Sequence, residues 1–290
     1  MQPISIVGPG AADLAAALTD LLDGRVAVVT SPADASGGDS DTNGSGDAGA
    51  TDGGVAVGDR ADRVGLDGDT AIALGADGEW TGRGSVDGLD DLLDGLAPDH
   101  DYLVAVGESR LRVPTVLLGA DADPDDVPGT VIAAADAPGE IDLDRLVAAV
   151  DAAEPWITRE TLVRRVEGSA DADRAGAIAT FTGRVRARDA PDDDRTTHLA
   201  FEKYEGVAAE RMDAIATELT ERDGVFDVRM HHRTGVIEAG EDIVFVVVLA
   251  GHRREAFRAV EDGIDRLKDE VPIFKKEATE AEEFWVHRRE

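Results

Sequence analysis

The sequence predicts two domains: an α/β domain with a mostly parallel sheet over residues 1–151, then a second domain of mixed helices and strands over residues 152–290. Three observations carry this. The length of 290 residues suits about two domains. The chain opens as strand, glycine turn, helix, strand, which is the start of a βαβ unit. Charge also shifts near residues 152–156. Residues 1–150 hold 29 acidic and 7 basic side chains (net −22), and residues 151–290 hold 32 and 22 (net −10).

The opening strand is Ile4-Ser5-Ile6-Val7, followed by the turn Gly8-Pro9-Gly10. A helix over residues 11–22 places Leu14, Leu18, Leu21 and Leu22 on one face. Gly24 ends it, and residues 25–30 read as a second buried strand. Residues 31–54 are low in complexity, with Gly, Asp and Ser in 16 of 24 places, and are expected to be a disordered surface loop. Further strands are expected at 70–74, 102–106 and 115–118, and helices at 89–96 and 143–150. A glycine turn before a helix invites phosphate. Aligned on Gly8, however, a P-loop needs Gly, Lys and Ser or Thr at positions 13, 14 and 15, where this chain has Asp13, Leu14 and Ala15. The phosphate-neutralising lysine and the magnesium-holding hydroxyl are both absent. The turn is a degenerate P-loop-like element, and weak or no nucleotide binding is expected.

In the second half a helix is expected at 161–166 and a strand at 177–181. Alternation along an extended segment then puts Arg184, Arg186 and Arg188 on one side, a set suited to an anion such as phosphate. Strands follow at 199–204, 225–230 and 243–249, with a helix over residues 207–219 between the first two. His231 and His232 are adjacent on a strand and face opposite ways, which makes them a poor metal pair. From Arg253 a helix carries Ala256, Phe257, Val260, Ile264, Leu267 and Val271 at helical spacing until Pro272 stops it. Lys268 sits at the edge of that stripe, where partial desolvation is expected to lower its pKa. Past Pro272 the chain is extended, so Lys275 and Lys276 point opposite ways. Three of the four lysines lie between Leu267 and Glu277, while the other 25 basic residues are arginines. Lysine is the basic side chain whose pKa moves most readily on burial, so this stretch is a candidate for acid–base chemistry.

Composition bounds the function. The net charge of −32 argues against a nucleic-acid partner or an anionic membrane surface, since phosphate binding needs a basic footprint. The aspartate excess fits a high-salt cytoplasm, where charge repulsion is screened. With no cysteine, disulfides, thiolate nucleophiles and Cys-based metal sites are excluded. No signal peptide and no run of about 18 apolar residues is evident. The expectation is a cytoplasmic protein with no cofactor, no metal and no membrane span.

Two resemblances add to this reading. Ile4-Ser5-Ile6-Val7-Gly8, Leu89-Asp90-Asp91-Leu92-Leu93 and Asp101-Tyr102-Leu103-Val104-Ala105-Val106-Gly107-Glu108 resemble the molybdopterin-guanine dinucleotide biosynthesis adaptor protein B family. That implies a nucleotide-binding fold that has lost hydrolysis. In the second half, Phe181-Thr182-Gly183-Arg184-Val185-Arg186, Glu202-x-Tyr204-x-Gly206, His232-Arg233-x-Gly235 and Gly240-Glu241-Asp242-Ile243-Val244 occur in order. They are followed by His252-Arg253, Leu267-Lys268, Pro272-Ile273-Phe274-Lys275-Lys276-Glu277 and Trp285-Val286. This series, over about residues 156–290, resembles the molybdopterin synthase catalytic (large) subunit. Lys203 stands where relatives often carry histidine, and its role stays open.

The second resemblance implies an α+β hammerhead-type fold, a homodimer, and a heterotetramer with a small ubiquitin-like sulfur carrier ending in a Gly-Gly thiocarboxylate. The implied reaction converts cyclic pyranopterin monophosphate to molybdopterin. Lys268 and Lys275 match the catalytic lysines, for acid–base work or transient covalent attachment. Arg186, with Arg184 beside it, matches the substrate-phosphate site, Val185 and Phe181 are further substrate-binding positions, His252 and Arg253 match a further substrate pair, and Lys276 and Glu277 the substrate-contact stretch. On one continuous helix His252 and Lys268 would lie about 24 Å apart, so a site shared between two subunits is expected. The alternative is a non-catalytic adaptor that docks ubiquitin-like modifiers or passes molybdopterin on.

Overall fold

A computed structural model describes residues 1–31, 71–74, 80–188, 190–204, 206–279 and 283–285. The expected loop at 31–54 lies, past Ser31, outside the described residues. So do Thr70 and Val286. The chain divides into two compact units. One comprises Gln2–Leu96 and Asp101–Glu154; the other comprises Pro155–Glu290 with Met1 and Ala97–His100.

The first unit holds β1 (Gln2–Val7), α1 (Ala11–Thr19), β2 (Val26–Thr30), β3 (Ala71–Leu74), β4 (Trp80–Arg83), α2 (Leu89–Leu96), β5 (Tyr102–Val106), β6 (Thr115–Leu118), β7 (Val131–Ala135) and α3 (Leu143–Ala152). Five strands form one parallel sheet in the order β2-β5-β1-β6-β7. Ile4, Ile6, Val104, Val106, Val116 and Leu118 pack with Leu14, Leu18, Leu146 and Val150. A strand buried on both faces reads as a near-continuous apolar run, which is how β1, β5 and β6 read. Two details differ from expectation. Strand β3 pairs antiparallel with β4 in a separate hairpin instead of joining the main sheet. Helix α1 stops at Thr19, leaving Leu22 buried but Leu21 exposed. The turn after β1 needs glycine. Gly8 has φ +110°, and a Cβ there would lie 2.0 Å from the Leu118 carbonyl oxygen. Leu14, at the position a phosphate lysine would occupy, belongs to the core.

The second unit holds α4 (Arg159–Glu167), β8 (Ala177–Arg184), β9 (Thr196–Lys203), α5 (Val207–Thr220), β10 (Val225–His232), β11 (Gly235–Glu238), β12 (Asp242–Ala250), α6 (Arg253–Glu270), β13 (Ile273–Thr279) and β14 (Glu283–Trp285). Two antiparallel sheets result, ordered β10-β12-β8 and β11-β9-β13-β14. Helix α4 starts at a capping box: the Thr161 backbone N–H donates to Thr158 Oγ1 at 3.1 Å.

Strand β12 organises this unit. Val244, Val246, Val248 and Ala250 face α5 and α6. Phe245, Val247 and Leu249 face Ile157 and the α4 residues Leu162 and Val166. Because both faces are covered, the strand has no polar face to show. Full burial of each large side chain contributes about 1.5–3 kcal/mol.

Helix α6 follows its predicted stripe except at Phe257. Ala256, Ala259, Val260, Gly263, Ile264 and Leu267 are buried, whereas Phe257 is 65% exposed. Small residues let the helix settle close to the sheet. A Cβ on Gly263 would meet Met230 at 3.0 Å and Val246 at 3.1 Å.

Candidate active site

The two ends of α6 and the strands around them place the residues singled out above. Strand β8 runs antiparallel to β12, with Ala179 opposite Val248, Phe181 opposite Val246 and Gly183 opposite Val244. Side chains alternate along a strand, so Phe181 and Gly183 share the face toward α6. Lys268, in the last turn of α6, holds its Nζ 5.7 Å from the centre of the Phe181 ring, a cation–π arrangement. Gly183 keeps this corner open. A Cβ there would lie 2.5 Å from Val244 Cγ1 and 3.3 Å from the Phe181 ring. Contrary to the expected desolvation, the Lys268 side chain is exposed in the single chain. The helix edge leaves it at the surface beside Phe181.

At the end of β8, Arg184 pairs with Asp242 at 3.0 Å and donates to the Gly240 carbonyl. Val185 is buried with Leu199, Phe201 and Ile237. Its N–H donates to the Glu241 carbonyl and its carbonyl accepts from Gly240, both at 2.9 Å. Val185 therefore anchors the segment and has no free surface for a ligand. The expected alternation holds past the strand end: Arg184, Arg186 and Arg188 are exposed and Val185 is buried.

Helix α6 is continuous over its 18 residues, about 27 Å, so His252 and Lys268 stand at opposite ends. His252 is the N-cap residue in extended conformation, and both it and Arg253 are exposed. After Val271 and Pro272 the chain enters β13. Lys275 pairs with Phe201 and Lys276 with Ala200, which puts the two lysines on opposite faces. Lys275 shares its face with Ile273 and Glu277. The Glu277 carboxylate accepts from Thr196 Oγ1 at 2.5 Å. Phe274, on the Lys276 face, meets Tyr204 edge-on at 5.5 Å, and both residues are exposed. Lys268 and Phe181 are thus brought together, and Lys275 follows seven positions after Lys268 across one turn. His252 and Arg253 are held apart from them.

The histidine pair behaves as strand geometry requires. His232 is buried, with Nδ1 2.6 Å from the Arg233 carbonyl and its ring edge-on to Phe201 at 4.8 Å. His231 faces the other way, opposite Phe245, and among the described residues its buried Nε2 has no hydrogen-bond partner. Burial first, and then the nearby Lys203 and Arg233, push its pKa down to about 3. The unfolded chain therefore binds a proton near pH 6.5 that the folded chain refuses until about pH 3. His231 thus leaves stability intact above pH 6.5 and subtracts from it as pH falls toward 3. The loss at pH 5 is about 2 kcal/mol. Denaturant unfolding of His231→Leu at pH 7.5 and pH 5 in molar salt checks this. The variant is expected to lose about 2 kcal/mol less than the native chain between the two pH values. Among the described residues, no group of three His, Asp or Glu side chains could hold a metal ion.

Comparison with known proteins decides the family. The model for the MoaE protein family matches residues 153–270. A Haloferax volcanii protein described as a probable molybdopterin synthase is 52% identical over 290 residues, the whole of both chains. The chain belongs to the molybdopterin synthase family. The molybdopterin synthase catalytic subunit of Pyrococcus abyssi is 39% identical over 111 residues, 38% of this chain and 74% of that one. The crystal structure of molybdopterin synthase from Staphylococcus aureus matches 40% of this chain and 83% of that one, at 32% identity and a TM-score of 0.38. As a molybdopterin synthase, the chain is a sulfurtransferase of molybdenum cofactor biosynthesis. The family model falls on the second unit, which carries Lys268 and Lys275. The Haloferax relative extends the likeness through the parallel-sheet unit as well. Among the described residues no helix is long and apolar enough to cross a membrane.

Proposed function

We propose that the second unit converts cyclic pyranopterin monophosphate to molybdopterin, taking each of two sulfurs from the C-terminal Gly-Gly thiocarboxylate of a small ubiquitin-like subunit. The observation that carries this is the placement of two of four lysines on either side of the turn from α6 to β13, with Lys268 over Phe181. In each transfer the carrier's sulfur bonds to the pterin and water then cleaves the acyl carbon–sulfur bond, leaving the carrier as a carboxylate, so two carriers serve one dithiolene. Lys268 and Lys275 move protons as the carbon–sulfur bonds form. Arg186, with Arg184 beside it, receives the substrate phosphate. Arg184 also bonds Asp242. Glu277 contacts substrate from the Lys275 face of β13, with Lys276 on the opposite face.

Helix α6 keeps His252 and Arg253 about 24 Å from Lys268, too far for one bicyclic pterin to touch both within one chain. The working unit in this reading is a homodimer in which each site takes Lys268 and Lys275 from one chain and His252 and Arg253 from the other. Two small subunits complete a heterotetramer. The first unit is a degenerate nucleotide-binding-like domain without hydrolysis, since Leu14 lies in the core where a phosphate lysine would stand.

Reconstitution tests the reading. The purified chain, thiocarboxylated small subunit and cyclic pyranopterin monophosphate in molar salt are expected to yield the dithiolene over many turnovers. A small subunit that binds without any product forming would indicate a non-catalytic adaptor instead.

A further inference from the structure

Four charged side chains close a ring between α5 and α6. Arg211 of α5 bonds Glu270 of α6. Arg266 Nε bonds Glu270 at 2.8 Å and its Nη2 bonds Glu218 of α5 at 2.6 Å. Arg211 Nη1 stands 3.9 Å from Glu218, which closes the circuit. Signs alternate around the ring and its net charge is zero. Arg266 and Glu270 are less than a third exposed, so bulk salt screens their contact less than it would a free surface pair.

The position of Glu270 runs against local rules. It is the last residue of α6, where backbone carbonyls are left unpaired and the helix dipole disfavours a carboxylate. Two guanidiniums offset that cost. The same turn carries Lys268, and Lys275 follows four residues after the C-cap Val271. Helix α5, in turn, is fixed to the sheet by Ala208, Met212, Ile215 and Leu219. The ring therefore ties the exit of α6 to a rigid reference.

We infer that Glu270 and Arg211 are positioning residues for the sulfur-transfer reaction: their ion pair holds the α6–β13 turn so that Lys268 and Lys275 keep one spacing. Neither side chain touches substrate. This rests on the proposed catalytic role of the two lysines. Among the described residues Glu218 bonds Arg266 and Arg211 and not Glu270 or the turn after it, so it is the control.

The test uses the full chain with its small subunit in molar salt. Glu270→Gln is expected to lower kcat five- to ten-fold with KM unchanged, at a temperature well below unfolding. Arg211→Met reproduces the loss, Arg211→Lys recovers most of it, and Glu218→Gln stays near native kcat. A second readout is independent of turnover. With four lysines in the chain, acetylation rates of Lys203, Lys268, Lys275 and Lys276 can be followed by mass spectrometry. Glu270→Gln is expected to change the Lys268 rate at least two-fold and leave Lys203 unchanged. Native kcat in Glu270→Gln, with unchanged lysine labelling and only a lowered Tm, would overturn the inference and make the ring a stability feature. If Lys268→Ala proved fully active, the catalytic reading would fail instead, and the labelling would still show whether the ring sets the turn.

Discussion

Replacing Lys268 or Lys275 with alanine is expected to lower the rate of dithiolene formation by about a hundred-fold or more, the usual scale for losing a positioned acid or base. The fold should survive both changes. Lys268 is exposed and Lys275 half-buried at the start of β13, and neither belongs to a core cluster. Surface substitutions of this kind typically change stability by within about 0.5 kcal/mol. Lys276 supplies the contrast, because the register puts it on the opposite face of β13 from Lys275. Lys276→Ala should cost much less than Lys275→Ala. Initial rates with saturating small subunit, alongside thermal unfolding of each variant, decide the matter. Arginine variants separate two contributions. Lys268→Arg keeps the positive charge over Phe181 but cannot exchange a proton near neutral pH, so a variant retaining native rate would reduce Lys268 to a fixed charge. A native rate in both alanine variants would remove the lysines from the chemistry altogether.

Much of the second unit was legible because its signals were local. The valine-rich apolar run of β12 reads as a strand buried on both faces, and it lies between α4 on one side and α5 and α6 on the other. Pro272 marked the end of α6, and extended backbone after it separated Lys275 from Lys276. Lysine scarcity drew attention to the turn from α6 to β13, although scarcity alone could not distinguish chemistry from a charged helix end. The parallel sheet of the first unit followed from the strand–glycine–helix opening.

What was missed depended on shape and on long-range contact. Phe257 was assigned to the buried stripe because large apolar residues were counted. The structure buries Ala259 and Gly263 beside the sheet as well as the expected Ala256, since close packing selects small side chains there. Strand β7 is rich in alanine and carries little strand signal of its own; pairing with β6 defines it. The partner strand of β3 lies in a hairpin that a parallel reading would not suggest. Val185 was grouped with its arginine neighbours by motif, yet its side chain fills a small core beneath them. The exposure of Lys268 was also unforeseen. Helical spacing locates a residue at the edge of a stripe but does not say whether a neighbour covers it.

The central claim is that one site needs both ends of α6 from two different chains. A mixed dimer of Lys268→Ala and His252→Ala chains, carrying different affinity tags and purified through both, tests it most directly. In a shared arrangement one of the two sites receives both intact residues and the other receives neither. About half of native activity is then expected, against near-complete loss in either variant homodimer. If each site were built from one chain, both sites of the mixed dimer would carry a defect. Activity no higher than that of the variant homodimers would contradict the shared site.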